Sequence, residues 1–128
     1  MKCICAEKGY INMSRILIAD DDYDIIAYMH VILRNSGHDI IESTNSKEAL
    51  EKFSQFNPEI IFLDLMMEKF DSGVTVCRKI RETDKKVKIY LISAVGDEAA
   101  DIPEASEIGF NGVISKPITA KKLLELVC

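Results

Sequence analysis

Five short apolar runs punctuate the chain, and stretches whose apolar residues recur every three or four positions separate them. Arg15-Ile16-Leu17-Ile18-Ala19, Asp39-Ile40-Ile41-Glu42, Ile60-Ile61-Phe62-Leu63-Asp64, Val87-Lys88-Ile89-Tyr90-Leu91-Ile92 and Val113-Ile114-Ser115 read as strands. The third, led in by Pro58, is continuously apolar up to its final carboxylate, the pattern of a strand buried on both faces. After the first run the period changes. Ile25, Ile26, Met29, Ile32 and Leu33 predict a helix that starts at Asp22 or Tyr23 and stops at Gly37. Asn45, three residues before Glu48, is a capping pattern that opens a helix from Ser46 to Phe56. Val74, Val76, Cys77 and Ile80 mark another helical face. The last helix runs from Ala120 to Val127 behind a Thr119 cap, with Leu123, Leu124 and Val127 inward. Asp97 to Ile108 predicts only a short or broken helix, because Pro103 removes a backbone donor inside it.

Strands that alternate with helices and lack hairpin turns between them imply an α/β fold, a three-layer sandwich around a five-stranded parallel sheet with right-handed crossovers. At 128 residues the chain has room for one such core. Residues 14–128 are predicted to form it. Residues 1–13 are expected to be an extension without fixed structure, and Met13 offers an alternative start.

Composition narrows the function classes. A chain 48% hydrophobic and 29% charged belongs with globular proteins rather than disordered ones. No apolar run approaches the roughly 20 residues of a membrane-spanning helix, and the N-terminus lacks the apolar stretch of a secretory signal. The expected compartment is cytoplasmic. A net charge of −5 argues against direct nucleic-acid binding, since phosphate neutralisation requires clustered Lys and Arg. Cys3, Cys5, Cys77 and Cys128 lack the paired spacing of a zinc site.

The chemistry gathers at the strand ends. In open parallel sheets ligands bind at the carboxyl edge, and there the runs deliver Asp20, Asp21, Asp64, Ser93 and Lys116. Two carboxylates about 4 Å apart repel by about 4 kcal/mol at an effective dielectric near 20. Three in one pocket therefore call for raised pKa values or a cation among them. Oxygen ligands without His or Cys suit Mg²⁺. Three Asp, one Mg²⁺ and one Lys sum to zero formal charge, an arrangement ready for a phosphoryl group. Asp64 is the candidate to carry it, with Ser93 and Lys116 on the transferring oxygens.

These motifs, Ile-Leu-Ile-Ala-Asp20-Asp21, the strand ending at Asp64, Ser93-Ala94 and Lys116-Pro117, resemble the receiver domain of two-component response regulators across residues 15–127. The resemblance implies a flavodoxin-like fold with strand order 2-1-3-4-5. It implies that Asp64 accepts a phosphoryl group from a histidine kinase or histidine phosphotransfer protein. It also implies that Asp21, Asp64 and the backbone carbonyl of Met66 hold Mg²⁺ directly, with Asp20 acting through water, and that Lys116-Pro117 is cis. A receiver of this kind is not an enzyme in the usual sense, since it catalyses only its own phosphorylation and a slow dephosphorylation, and it signals through a downstream protein partner. Slow dephosphorylation is expected because Met66 and Val95 stand where the family often has polar residues that orient water.

The chain departs from the family pattern at four places. Glu68 replaces the usual proline four residues after the acceptor, and Gly73 comes one residue later than usual. Val113 replaces the switch aromatic, and Pro103 falls in a helix of the output face. Two other readings compete: a receiver-like docking module that works without phosphorylation, and a Mg²⁺-dependent phosphatase with Asp20 as nucleophile and Asp22 as acid.

Overall fold

The computed structural model describes residues 2–5, 9–94 and 105–127. Two short strands open the chain, β1 (Lys2–Cys5) and β2 (Gly9–Asn12), paired antiparallel as a sheet of their own. The sequence predicts no regular structure before residue 14, so this pairing is a difference. Gly9, opposite Cys5 in the register, stands where the chain re-enters the pair.

The main sheet follows. In chain order come β3 (Arg15–Ala19), α1 (Tyr23–Asn35), β4 (Asp39–Ser43), α2 (Ser46–Phe56), β5 (Ile60–Asp64) and α3 (Ser72–Arg81). Then come β6 (Lys88–Ser93), α4 (Ala105–Ile108), β7 (Gly112–Ser115) and α5 (Ala120–Val127). The sheet is parallel throughout, in the order β4-β3-β5-β6-β7. Counted along this sheet alone, that is 2-1-3-4-5, the flavodoxin-like order the resemblance implies. Pro103 and most of the Asp97 to Ile108 stretch lie outside the described residues; its end forms the single turn α4.

Alternation along the strands builds two cores. Ile16, Ile18, Phe62 and Ile92 face one side, where Ile26, Met29 and Leu33 of α1 and Leu123 and Val127 of α5 cover them. Leu17, Ile61, Leu63 and Leu91 face the other, against Ala49 of α2 and Val76, Cys77 and Ile80 of α3. All five residues of β5 are buried, as its uninterrupted apolar pattern requires. Cys77 is a core residue whose thiol burial pushes up to about 11, so it is not a reactive thiol.

Local rules set the helix ends. The Asp22 carboxylate accepts the Asp24 N–H and caps α1, and Gly37 closes that helix at φ 96°. Asn45 accepts the Glu48 N–H at 2.8 Å while the Glu48 carboxylate accepts the Thr44 N–H at 2.8 Å, a reciprocal cap on α2. Thr119 caps α5 through the Lys122 N–H at 3.2 Å.

Gly73 answers to a close approach. A Cβ built there would lie 2.5 Å from the Asp64 carbonyl oxygen and 3.0 Å from the Leu65 Cα, backbone atoms that cannot swing aside. Its N–H donates to the Leu65 carbonyl at 2.9 Å, so the first turn of α3 rests on the chain leaving β5. Gly73→Ala is expected to cost about 1–3 kcal/mol through this overlap, read as a lower urea midpoint. A midpoint equal to wild type would show that α3 can shift at no cost.

Candidate functional site

The register of the sheet creates the site. Ala19 pairs with Leu63 across the β3–β5 ladder, so Asp20 and Asp64, one residue further along each strand, leave the sheet side by side. Asp21 follows on the exposed side, and carboxylate oxygens of Asp20, Asp21 and Asp64 all lie within 4.8 Å of one another. Lys116, just past β7, reaches across β6: its Nζ lies 3.4 Å from Asp20 Oδ2 and 3.6 Å from Asp64 Oδ1. Its own N–H donates to the Ser93 carbonyl at 2.8 Å, which ties the end of β7 to the end of β6. The Lys116-Pro117 bond is cis. Asp20, Asp21, Asp64, Ser93 and Lys116 thus all lie at one sheet edge, as the sequence predicts, and Met66 follows Asp64 on the exposed loop.

Burial shapes their electrostatics. Asp20 and Ser93 are fully buried and Asp64 nearly so, at 0%, 0% and 6% exposure. Burial first, and then the Asp20 carboxylate, push the Asp64 pKa up to about 7, against the pull of Lys116. Burial likewise raises Asp20, although the Asp22 N–H, donating to its Oδ1 at 2.9 Å, and Lys116 act to lower it. Burial works against the Lys116 ammonium, but Asp20 and then Asp64 outweigh it and hold its pKa above the ordinary lysine value.

Among the described residues, Asp20 Oδ2 and Ser93 Oγ are buried with no hydrogen-bond partner. Buried polar atoms are nearly always satisfied. An oxygen-only cluster of three carboxylates, with Asp20 Oδ2 met only by the Lys116 ammonium at 3.4 Å, fits a hard divalent cation such as Mg²⁺. The spare hydroxyl at Ser93 fits a donor aimed at an anion.

The competing phosphatase arrangement is not assembled. Asp20 is fully buried and engaged by the Asp22 N–H and Lys116, and the Asp22 carboxylate is occupied in capping α1. Val113 sits half-buried on β7 opposite Leu91 and packs against the apolar core, a position without a ring to rotate.

One feature at the site and one at the opposite, amino edge of the sheet have no local signal in the sequence. Glu68 accepts a hydrogen bond from the Ser46 N–H at 2.7 Å, 22 residues away in the chain, and another from the Ser72 hydroxyl at 3.0 Å. Arg81 fastens the end of α3 to the turn before β7, through the Gly109 carbonyl at 2.9 Å and Asn111 Oδ1 at 2.9 Å. Both join segments distant in sequence, and only the fold makes them neighbours.

The raised Asp64 pKa sets a pH dependence in metal-free protein. Folded and unfolded chains both hold the Asp64 proton below pH about 4, the unfolded carboxyl releases it first, and the folded one releases it near pH 7. Stability is therefore lost as pH rises through this window. Asp64→Asn, which cannot ionise, is expected to raise the melting temperature by a few degrees at pH 8 and hardly at all at pH 4. An equal effect at both values, in thermal melts with chelator present, would refute the assignment.

Comparison with known proteins places the arrangement. The family model of the response regulator receiver domain matches residues 16–128. The chemotaxis protein CheY of Bacillus subtilis is 31% identical over 114 residues, covering 88% of this chain and 93% of that protein. The alkaline phosphatase synthesis transcriptional regulatory protein PhoP of the same organism is 31% identical over 109 residues, 85% of this chain but 45% of PhoP. The probable transcriptional regulator ycf27 of Guillardia theta is 33% identical over 93% of this chain and 46% of that protein. The chain thus spans about half the length of several curated relatives it matches and nearly all of CheY. Among solved structures, a putative response regulator from Chloroflexus aurantiacus superposes with a TM-score of 0.80 at 26% identity, over 90% of this chain and 94% of that one. The chemotaxis response regulator CheY4 of Vibrio cholerae shares the fold with a TM-score of 0.80 at 21% identity, over 90% and 96%. With the fold and the strand order in agreement, the chain belongs to the response regulator receiver domain family, the receiver module of two-component signalling.

Proposed function

We propose that the domain is a phosphoacceptor: Asp64 takes a phosphoryl group from the phosphohistidine of a histidine kinase or phosphotransfer protein, and a downstream protein then reads the modified domain. One observation carries this reading: Asp64 stands between Asp20 and Lys116 with the buried Ser93 hydroxyl left unpartnered at the same edge. The Asp64 carboxylate oxygen attacks phosphorus, the P–N bond breaks, and the imidazole leaves with its electron pair and takes up a proton. Asp20, Asp21, Asp64 and the Met66 carbonyl would hold Mg²⁺, which when bound offsets carboxylate charge and shields the phosphoryl oxygens. Lys116 keeps its ammonium charged beside the acceptor, and Ser93 donates its free O–H to a phosphoryl oxygen.

The domain is a self-modifying switch rather than an enzyme acting on other substrates. Its acyl phosphate would shift a pre-existing two-state equilibrium toward the partner-binding form. A docking module that works without phosphorylation is the weaker reading, since such a module has no use for buried like charges beside a lysine. No helix among the described residues is long and apolar enough to cross a membrane. A cytoplasmic site of action follows from the kinase partner in this reading.

Incubation with Mg²⁺ and acetyl phosphate is expected to add the mass of one phosphoryl group to the wild type and none to Asp64→Asn, with labelling abolished by EDTA. Labelling of Asp64→Asn, or none of the wild type, would overturn the assignment. The acyl phosphate is expected to be long-lived because Met66, 46% exposed beside the acceptor, offers no polar group to orient water; Val95 lies outside the described residues. Met66→Asn is expected to shorten the lifetime by about an order of magnitude, less than the roughly 10²–10⁴-fold of a general base because the amide orients water without taking its proton. A wild-type lifetime of only seconds by intact mass would contradict this.

A further inference from the structure

The loop after Asp64 is closed by a side chain rather than by regular structure. Glu68 is tied at both ends of its carboxylate. Its Oε1 accepts the Ser46 N–H at 2.7 Å, at the first residue of α2, and its Oε2 accepts the Ser72 hydroxyl at 3.0 Å, at the first residue of α3. Ser72 Oγ also accepts the Lys69 N–H at 2.9 Å and lies 3.0 Å from the Lys69 carbonyl, while the Met67 N–H donates to that carbonyl at 3.2 Å. The turn from Met67 to Ser72 is thereby closed on itself, and Glu68 is its link to the neighbouring helix. The Ser46 N–H belongs to the first turn of α2, where an anion is favoured. Asn45 satisfies the Glu48 N–H of the same turn and leaves that of Ser46 to Glu68.

We propose that Glu68 is a positioning residue for the acceptor loop, which by bridging the starts of α2 and α3 fixes the Met66 carbonyl in the orientation that the cation requires. The inference rests on the Mg²⁺ reading of the site given above and assigns this chain's own means of ordering it. It predicts which property of the side chain matters. A glutamine keeps a carbonyl oxygen for the Ser46 N–H and an amide that can donate to Ser72 Oγ, so it preserves both ties without the charge. An alanine keeps neither.

Mg²⁺ affinity is the discriminating readout, followed by backbone amide shifts near Asp21 and Met66 as magnesium chloride is added to wild type, Glu68→Ala and Glu68→Gln. Glu68 is exposed, so each variant is expected to fold, and melting temperatures run alongside. Glu68→Ala is expected to weaken Mg²⁺ binding about tenfold and Glu68→Gln by no more than about twofold, the scale of outer-shell partners of metal ligands. Faster hydrogen exchange at Ser46 is expected in the alanine variant only. A role confined to stability would lower the melting temperature and leave the Mg²⁺ affinity in place, which overturns the proposal. Equal weakening by Ala and Gln also overturns it, because the cause would then be long-range charge. If the wild type fails to bind Mg²⁺, the cation reading falls and this inference with it; if it binds and Glu68→Ala binds equally well, only the inference on Glu68 falls.

Discussion

Two carboxylates held side by side out of water are the constraint on which the rest depends. Asp20 and Asp64 leave adjacent parallel strands in register, so their backbones stay side by side while β3 and β5 are paired. Burial of Asp64 first, and then repulsion by Asp20 that grows as solvent is excluded, hold the Asp64 proton up to about pH 7 in the metal-free chain. The sheet therefore carries a local cost at its carboxyl edge, offset by the continuous apolar core beneath it. β5 is buried along its full length, with α1 and α5 covering one face and α2 and α3 the other. A less buried central strand would let water screen the pair and would remove the tension that a cation or ammonium can relieve.

Lys116 is the partial relief that the chain itself provides. It comes from two strands away, and the Ser93 carbonyl anchors its backbone while its side chain spans β6 to meet both carboxylates. One ammonium against the Asp20, Asp21 and Asp64 carboxylates leaves the pocket net negative. That imbalance makes a divalent cation, rather than a second lysine, the natural complement to oxygen ligands.

The strands and helices were legible because each obeys a local period. The helix from Ser46 to Phe56 and the strand from Ile60 to Asp64 have the predicted bounds, since a reciprocal cap and an uninterrupted apolar run are both short-range signals. The placement of the candidate residues was legible for a related reason: parallel order carries strand ends to one edge, and Asp20, Asp64, Ser93 and Lys116 end or directly follow four of the five runs. What remained hidden joins distant segments. Nothing near Glu68 in the sequence signals that Ser46 lies beside it, and Gly73 shows its purpose only once the Asp64 carbonyl is seen at the distance a Cβ would occupy. The β1–β2 pair was missed because strands of four residues on either side of a short connection carry too little pattern.

Under the phosphoacceptor reading, the charge count explains why a hydroxyl without a partner sits at the end of β6. The Asp20, Asp21 and Asp64 carboxylates, Lys116 and a divalent cation sum to zero before modification. Forming the acyl phosphate on Asp64 removes one negative charge and brings about two on the phosphoryl group, so the modified pocket is in excess of anion. The change is met by Lys116, whose pairing with the Asp64 carboxylate is released on modification, together with a donor that was idle beforehand. Ser93 Oγ is such a donor: buried, unpartnered among the described residues, and on the strand next to the acceptor. Drawing it toward the phosphoryl oxygens pulls on the end of β6, and through the Ser93 carbonyl on the backbone of Lys116 at the end of β7. In that reading the Ser93 end of β6 and the Lys116 end of β7 are the segments nearest the modified carboxylate, and this backbone bond of 2.8 Å joins them without the ring that Val113 lacks.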